Sequence, residues 1–400
     1  MSLFSQVTAA PPDPILGLTE AFIADQRPGK VNLGVGVYQD ESGKVPVLEC
    51  VRIAADRVNA EGAPRPYLPI PGLATYYNLV RDLIFGSGSE VAETGRVAML
   101  QTLSGTGALK VGADFLSQVS PEATVLVSDP SWENHRALFT RAGLKVGTYR
   151  YYDEAGHGID FAGMLEDLRA AAPGTIVLLH PCCHNPTGYD LSDEQWTQVI
   201  TVVRERDLVP FVDMAYQGFS RSLTDDASPV RRFVESGGNL FVSVSFSKTF
   251  SLYGERIGAL AVVCTDADET ARVLSQLKIV VRTNYSSPPT FGAKVVATVL
   301  GDPELRALWE TELGGMRDRI KAMRRALVDG LAAAGVEQDM EFIARQVGMF
   351  SYSGLTKEQM LRLRSEFGIY GTDKGRICVA ALNARNLDPV STAIAEVLRG

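Results

Sequence analysis

The chain has 400 residues, 46% of them hydrophobic and 22% charged, with a net charge of −8. It is too long for one compact core at about 100–150 residues per domain. Its apolar content is that of a folded globular chain, not a disordered one. The acidic balance disfavours a nucleic-acid groove and an anionic membrane surface. No apolar run approaches the ~20 residues that span a bilayer, and the start MSLFSQVTAAPPDPI lacks the basic and apolar regions of a signal peptide. Five scattered cysteines suggest neither a disulfide framework nor a four-ligand zinc site, so a reduced, cytoplasmic setting is expected.

Short β-branched runs alternate with helical stretches through the middle of the chain. Strands are predicted at Val97–Gln101, Thr124–Ser128, Val146–Arg150, Thr175–His180, Val209–Asp213, Leu240–Val244 and Ala259–Cys264. Several are apolar throughout, as strands covered on both faces should be. Ala108, Val111, Phe115 and Val119 form an apolar stripe at helical spacing, and Ser192 with Gln195 reads as a capping box for a helix through Glu205. The alternation predicts an α/β fold with a mostly parallel seven-stranded sheet covered by helices on both faces. From Glu304 to Ala334 the pattern is helical, with a possible kink at Gly314–Gly315. Phe350–Tyr352, a helix from Thr356 and Ile377–Ala380 then predict a smaller α+β unit. The expected division is 1–45 as an N-terminal arm and part of the small domain, 46–315 as the large domain and 316–400 as the rest of the small domain. Pro11, Pro12 and Pro14 suggest an extended arm.

In an open α/β sheet the chemistry sits beyond the carboxyl ends of the strands. After the first strand, Gly105-Thr106-Gly107 enters a helix whose N–H groups could hold a phosphate, although a plain tight turn fits equally well. Trp132 follows the second strand and could stack on a flat ring or simply be buried. His135, taken alone, reads as a satisfied core residue. The fourth strand runs into His180-Pro181-Cys182-Cys183-His184-Asn185-Pro186-Thr187-Gly188. Four metal-type ligands crowded into five positions cannot readily converge on one tetrahedral ion, so no metal is expected. Asp213 closes an apolar strand, where a carboxylate is costly unless paired, and Tyr216 can face the same cleft. Lys248 stands among Ser245, Ser247 and Thr249 at a strand end, with Arg256 eight residues on; a desolvated lysine of this kind can form a Schiff base. Together these groups match the needs of pyridoxal phosphate, whose ring nitrogen requires a carboxylate partner.

The stretches Cys182–Gly188, Asp213–Phe219 and Ser245–Gly258, with Val31–Tyr38 and Gly375–Ala380 at the two ends, resemble the class I aspartate/aromatic aminotransferases, which are fold-type I pyridoxal-phosphate enzymes. The resemblance implies that Lys248 carries the cofactor and moves the proton. It implies that Asp213 holds the ring nitrogen with His135 and His180 behind it, and that Asn185 and Tyr216 bond the ring's phenolate oxygen. It places Trp132 over the ring, and assigns the phosphate to Gly105, Thr106, Ser245, Ser247 and Arg256, joined by Tyr67 from the other subunit of a homodimer. Arg376 resembles the clamp on the substrate α-carboxylate, Gly36 lies in the closing segment, and Arg282 resembles the cross-subunit arginine for a distal carboxylate. Trp132 and Asn185 also border the implied substrate site.

Pro181, Glu133, Thr249 and Ser287 depart from the usual aspartate-enzyme pattern, and Ser286-Ser287-Pro288-Pro289 with Tyr67-Leu68-Pro69 is closer to bacterial aromatic enzymes. The expected reaction is amino transfer between an aromatic amino acid and 2-oxoglutarate, with aspartate and glutamate also accepted. The alternatives are a mainly aspartate-specific enzyme, another pyridoxal-phosphate reaction such as elimination or decarboxylation, and a non-catalytic sensor domain.

Overall fold

The computed structural model describes residues 2–9 and 16–399. The stretch containing Pro11, Pro12 and Pro14, read as an extended arm, lies outside the described residues.

Seven strands form the central sheet: β1 (Val97–Leu103), β2 (Thr124–Asp129), β3 (Lys145–Arg150), β4 (Ile176–Leu179), β5 (Val209–Met214), β6 (Leu240–Ser245) and β7 (Ile257–Val263). Their order is β1-β7-β6-β5-β4-β2-β3, and every described pairing is parallel except those of β7, which runs antiparallel to both β1 and β6. The expected mixed α/β sheet is therefore present, with each predicted strand matched to within two residues at its start and end. β4, β6 and β7 are buried at every position, which is why β4 and β7 are apolar runs that do not alternate.

The reversal of β7 has a consequence for the site. It brings the start of that strand, preceded by Arg256, to the edge where the parallel strands end: Ile257 pairs with Leu103 and Gly258 with Ser245. A Cβ on Gly258 would sit 2.4 Å from the Ser104 carbonyl carbon and 2.5 Å from the Val244 oxygen, so only glycine fits between these backbones.

Helix α1 (Ser104–Val119) follows β1 directly and buries Ala108, Val111 and Phe115 against the sheet. Val119, read as the fourth member of that stripe, is exposed, because the helix ends there and rises off the sheet. The Ser192–Gln195 capping box is formed and opens the helix Asp193–Glu205. Helices α2 (Ala267–Asn284) and α3 (Pro303–Ala333) follow β7, and α3 is unbroken through Gly314–Gly315.

The chain ends meet. Val31–Asn32 pairs in parallel with Ile369–Tyr370, and Phe350–Tyr352 pairs antiparallel with Arg376–Cys378. The Cys378 N–H donates to the Leu33 carbonyl at 2.7 Å, lacing the N-terminal segment to the C-terminal strands. Among the described residues, no helix is long and apolar enough to cross a membrane.

Candidate active site

A cavity of ≈350 Å³ opens at the carboxyl edge of the sheet. Each strand delivers its residues there in the way the topology dictates. Gly105 and Thr106 arrive from the β1–α1 turn, Trp132 from the loop after β2, and His180 and Asn185 from the loop after β4. Asp213 and Tyr216 come from β5, and Ser245, Ser247 and Lys248 from β6. Arg256 enters through the reversed β7, while Gly36 and Arg376 close the other side from the laced chain ends. His135 stands behind Asp213.

One end of the cavity is built for an anion. Helix α1 begins without a side-chain cap, so its first-turn N–H groups lack the usual local acceptor. Around them the hydroxyls of Ser104, Ser245 and Ser247 form a chain: Ser104 Oγ lies 3.1 Å from each of the other two. Arg256 Nη1 donates to Ser247 Oγ at 3.3 Å. Gly105 packs so close to this chain that a Cβ would lie 3.1 Å from Ser245 Cβ. Ser104 holds a left-handed backbone (φ 64°), a conformation that non-glycine residues seldom adopt away from functional turns.

On the floor, Asp213 is buried but well supplied. His135 Nε2 lies 3.0 Å from Oδ2, and Ser243 Oγ donates to Oδ1 at 3.2 Å. Burial pushes this carboxyl up; the His135 hydrogen bond and the nearby Lys248 charge outweigh it and hold the group below its ordinary value. His135 is itself aimed by Ser131 Oγ, 2.9 Å from Nδ1. His180 is buried at the cavity wall, and among the described residues neither ring nitrogen has a partner. Desolvation lowers its pKa to about 3, so the ring is neutral.

Lys248 lies across from Asp213, its Nζ 5.0 Å from the centre of the Tyr216 ring. Desolvation, aided by the charges of Arg256 and Arg376 and opposed by Asp213, lowers its amine to about 8. Burial pushes the Tyr216 phenol up, so it keeps its proton.

Arg376 forms the opposite wall and is 2% exposed. It donates to Asn185 Oδ1 at 3.2 Å and to the Gly34 carbonyl at 2.8 Å, and its guanidinium lies 4.3 Å from the Phe350 ring centre. Among the described residues its Nε has no partner and it forms no ion pair. A buried cation without a counter-charge is expensive unless an anion joins it.

Two residues expected at the site are not brought into this cavity. Tyr67 is 95% exposed, and Arg282, in the last turn of α2, is exposed and hydrogen-bonded to Ser286 Oγ. The cavity also contains residues that the sequence did not mark: Ser104, Leu109, Tyr253 and Phe350 among them. Tyr253 sits inside the Ser245–Gly258 stretch and Ser104 directly precedes Gly105, so both could have been found there. Phe350 was read only as the start of a strand and lies outside every motif, so nothing in the sequence marked it for the site. His184 is a satisfied core residue: its ring nitrogens lie 2.8 Å from Ser128 Oγ and 2.8 Å from Thr187 Oγ1.

Residues 28–394 match the family model described as aminotransferase class I and II. The chain is similar to the aspartate aminotransferase of Pseudomonas aeruginosa, 59% identical over 100% of both chains. It is 50% identical to the aromatic-amino-acid aminotransferase of Escherichia coli, over 99% of this chain and 100% of that one. Among solved structures it resembles the aromatic-amino-acid aminotransferase of Burkholderia pseudomallei covalently bound to pyridoxal phosphate, with 61% identity, a TM-score of 0.97 and complete coverage of both chains. Fold, cavity and kinship agree, and the chain belongs to the class I and II aminotransferase family.

Proposed function

We propose that this aminotransferase uses pyridoxal phosphate to move an amino group between an aromatic amino acid and 2-oxoglutarate, and that it also accepts aspartate and glutamate. The observation that carries this reading is the buried, unpaired Arg376 guanidinium facing the same cavity as Lys248 and Asp213. An α-carboxylate on Arg376 places the substrate's amino carbon toward the lysine.

The residues fit the cofactor. The uncapped start of α1, the serine chain and Arg256 suit its phosphate, and the anionic Asp213 suits a protonated ring nitrogen. Asn185 and Tyr216 are assigned to the ring oxygen, Trp132 to the ring face, and His135 and His180 to the support of Asp213. When bound, the cofactor supplies an electron sink for the carbanion left by proton removal.

The chain's own residues do the rest. Arg376 fixes the carboxylate and so the orientation of the Cα–H bond. Lys248, with its amine lowered to about 8, is neutral in a sizeable fraction at working pH and can take the substrate's Cα proton at Nζ and hold it for return. Asp213 stays ionised and holds the ring-nitrogen proton.

We assign Tyr67 and Arg282 to the cavity of a partner subunit in a homodimer, Tyr67 at the phosphate and Arg282 at a distal carboxylate. Their exposure outside the cavity of their own chain supports this, as do the uncovered apolar side chains of Leu3, Phe4 and Val7. We also propose that the large domain spans 46–315 and that 1–45 and 316–400 form the small one; the pairing of Val31–Asn32 with Ile369–Tyr370 supports it.

A mainly aspartate-specific enzyme is favoured by the Pseudomonas aeruginosa relative. Half-reaction spectra with single amino acids test both readings. The aromatic reading expects phenylalanine, tyrosine or tryptophan to convert the cofactor to its amine form at rates comparable to or above aspartate. Conversion by aspartate and glutamate alone would leave the narrower enzyme.

A further inference from the structure

Asn185 and Tyr216 reach the cavity from the loops after the neighbouring strands β4 and β5. Each loop is pinned by a carboxylate that does not itself line the cavity. Asp190 holds the first. Its Oδ2 accepts from the Cys183 N–H at 2.9 Å and its Oδ1 from the His184 N–H at 3.0 Å, the two amides immediately before Asn185. Asp226, buried at the end of a short helix (Leu223–Asp226), holds the second. It accepts from the N–H groups of Gly218 at 2.8 Å, Ser220 at 3.1 Å and Arg221 at 2.9 Å. The turn held in this way starts at Tyr216, whose carbonyl accepts from the Phe219 N–H at 3.0 Å.

Ser220 joins the two carboxylates. Its N–H goes to Asp226, and its hydroxyl donates to Asp190 Oδ2 at 2.9 Å. The loops also touch directly, with Cys183 Sγ 4.0 Å from the Tyr216 carbonyl oxygen. Desolvation pushes the Asp190 carboxyl up to about 6; the two amides and Ser220 oppose the rise, so it is mostly ionised at neutral pH. Burial likewise pushes Asp226 up against the three amides that it accepts from.

We propose that Asp190 is a positioning residue, and that through Ser220 and Asp226 it fixes Asn185 and Tyr216 relative to one another. The contacts continue to the substrate side, where Asn185 Oδ1 accepts from Arg376 Nη1 at 3.2 Å. The Asn185 amide nitrogen and the Tyr216 hydroxyl are then the donors that meet the cofactor's ring oxygen under the pyridoxal-phosphate reading, on which this inference rests. Hydrogen bonds hold over a window of about 0.5 Å in length, so two donors serve one oxygen only if both are placed. An asparagine at 190 cannot stand in, because its NH2 group would face one of the N–H donors that the carboxylate now accepts from. No covalent step is involved.

Asp190→Asn and Ser220→Ala test it. The first readout is the pH midpoint of the bound cofactor's visible absorbance band, which reports loss of the proton shared with the ring oxygen. Donors on that oxygen make it less basic, so weakening them raises the midpoint. In Asp190→Asn it should rise by about 0.4–1 pH unit, the worth of one neutral hydrogen bond. Ser220→Ala should move it the same way by less, and the double variant no further than Asp190→Asn, because Ser220 acts through Asp190. The second readout is hydrogen exchange in the cofactor-free protein: the Cys183 and His184 amides should exchange about tenfold faster in Asp190→Asn. A melting temperature that falls while the midpoint stays at its parental value in the folded variants makes Asp190 a structural prop and overturns the proposal. If Asp190→Asn does not fold, Ser220→Ala alone decides. An additive double variant overturns the link through Ser220. A parent protein that takes up no pyridoxal phosphate would overturn the underlying reading instead, and that result is visible before any variant is made.

Discussion

His135 and Asp213 form a directed pair in which the histidine's Nε2 lies 3.0 Å from the carboxylate and its Nδ1 lies 2.9 Å from Ser131 Oγ. The serine fixes the ring, the ring fixes the carboxylate, and the carboxylate ends at the cavity floor with its charge preserved against burial. This arrangement resists replacement by a neutral group of the same shape.

Asp213→Asn should therefore keep the fold and lose turnover. A hydrogen bond to a charged group contributes about 1.5–3 kcal/mol, so the lost bond alone costs roughly ten- to hundredfold, before the electron sink is weakened. Single-turnover kinetics with saturating cofactor give the value. Near-parental turnover with cofactor bound would remove Asp213 from this role.

The amine of Lys248 sets a pH dependence. Its pKa falls from 10.5 to about 8 because burial disfavours the ammonium. The folded chain thus binds fewer protons than the unfolded one between these values, and this group's contribution to stability rises with pH across that window. Capture of pyridoxal phosphate by the cofactor-free protein should accelerate with pH around a midpoint near 8, not near 10.5. Stopped-flow absorbance measures it. Lys248→Ala should abolish both transamination and any borohydride-reducible bond to the cofactor; a reducible bond that survives would place the linkage on another lysine.

Arg282 is exposed and bonded to Ser286, a neighbour it can leave at little cost. It is expected to point into the partner's cavity for glutamate and to swing out for an aromatic side chain, since an unpaired guanidinium beside a phenyl ring is costly. Ser287, smaller than asparagine, leaves room for the swing. Arg282→Leu should lower kcat/KM for glutamate and aspartate by roughly 10- to 150-fold, the worth of a charged hydrogen bond, and leave phenylalanine within about threefold. Equal losses for both substrate types would make Arg282 a general support. Hybrids with Lys248→Ala chains would show which subunit supplies the arginine.

Gly258→Ala should be among the most damaging single-methyl additions to the sheet. The new Cβ would meet backbone on both sides, at 2.4 Å from Ser104 and 2.5 Å from Val244, and neither can retreat without opening the β1-β7-β6 ladder. Overpacking of this kind costs about 1–3 kcal/mol. Thermal unfolding should show the loss, and cofactor affinity should drop with it because Ser104 moves. An unchanged melting temperature would mean that the ladder yields at this point.

The sequence by itself determined the seven strands, because a strand buried on both faces must be an apolar run and the turns after it must be polar or glycine-rich. It also placed the candidate site residues at the strand ends, where the structure brings them to one cavity. Asp213 lies near the end of an apolar strand, and Lys248, Asn185 and the Gly105 turn lie within a few residues after the end of a strand, so local order along the chain was enough to place them at one edge. The direction of β7 was not legible: an apolar run reads the same parallel or antiparallel, and only the pairing of Ile257 with Leu103 and Gly258 with Ser245 carries Arg256 to the anion end. Val119 belongs to the apolar stripe yet is exposed, because helical spacing says which face a residue is on and not where the helix ends. The place of Phe350 in the cavity, and the contact of Tyr253 with Tyr38, appeared only in three dimensions. Both depend on contacts across more than two hundred residues, Tyr38 with Tyr253 and Gly36 with Phe350, and such contacts are set by how the laced chain ends pack on the sheet. Hydrophobic periodicity and turn chemistry are local and can be read in order; the meeting of distant segments is decided by packing, which no window of the sequence contains.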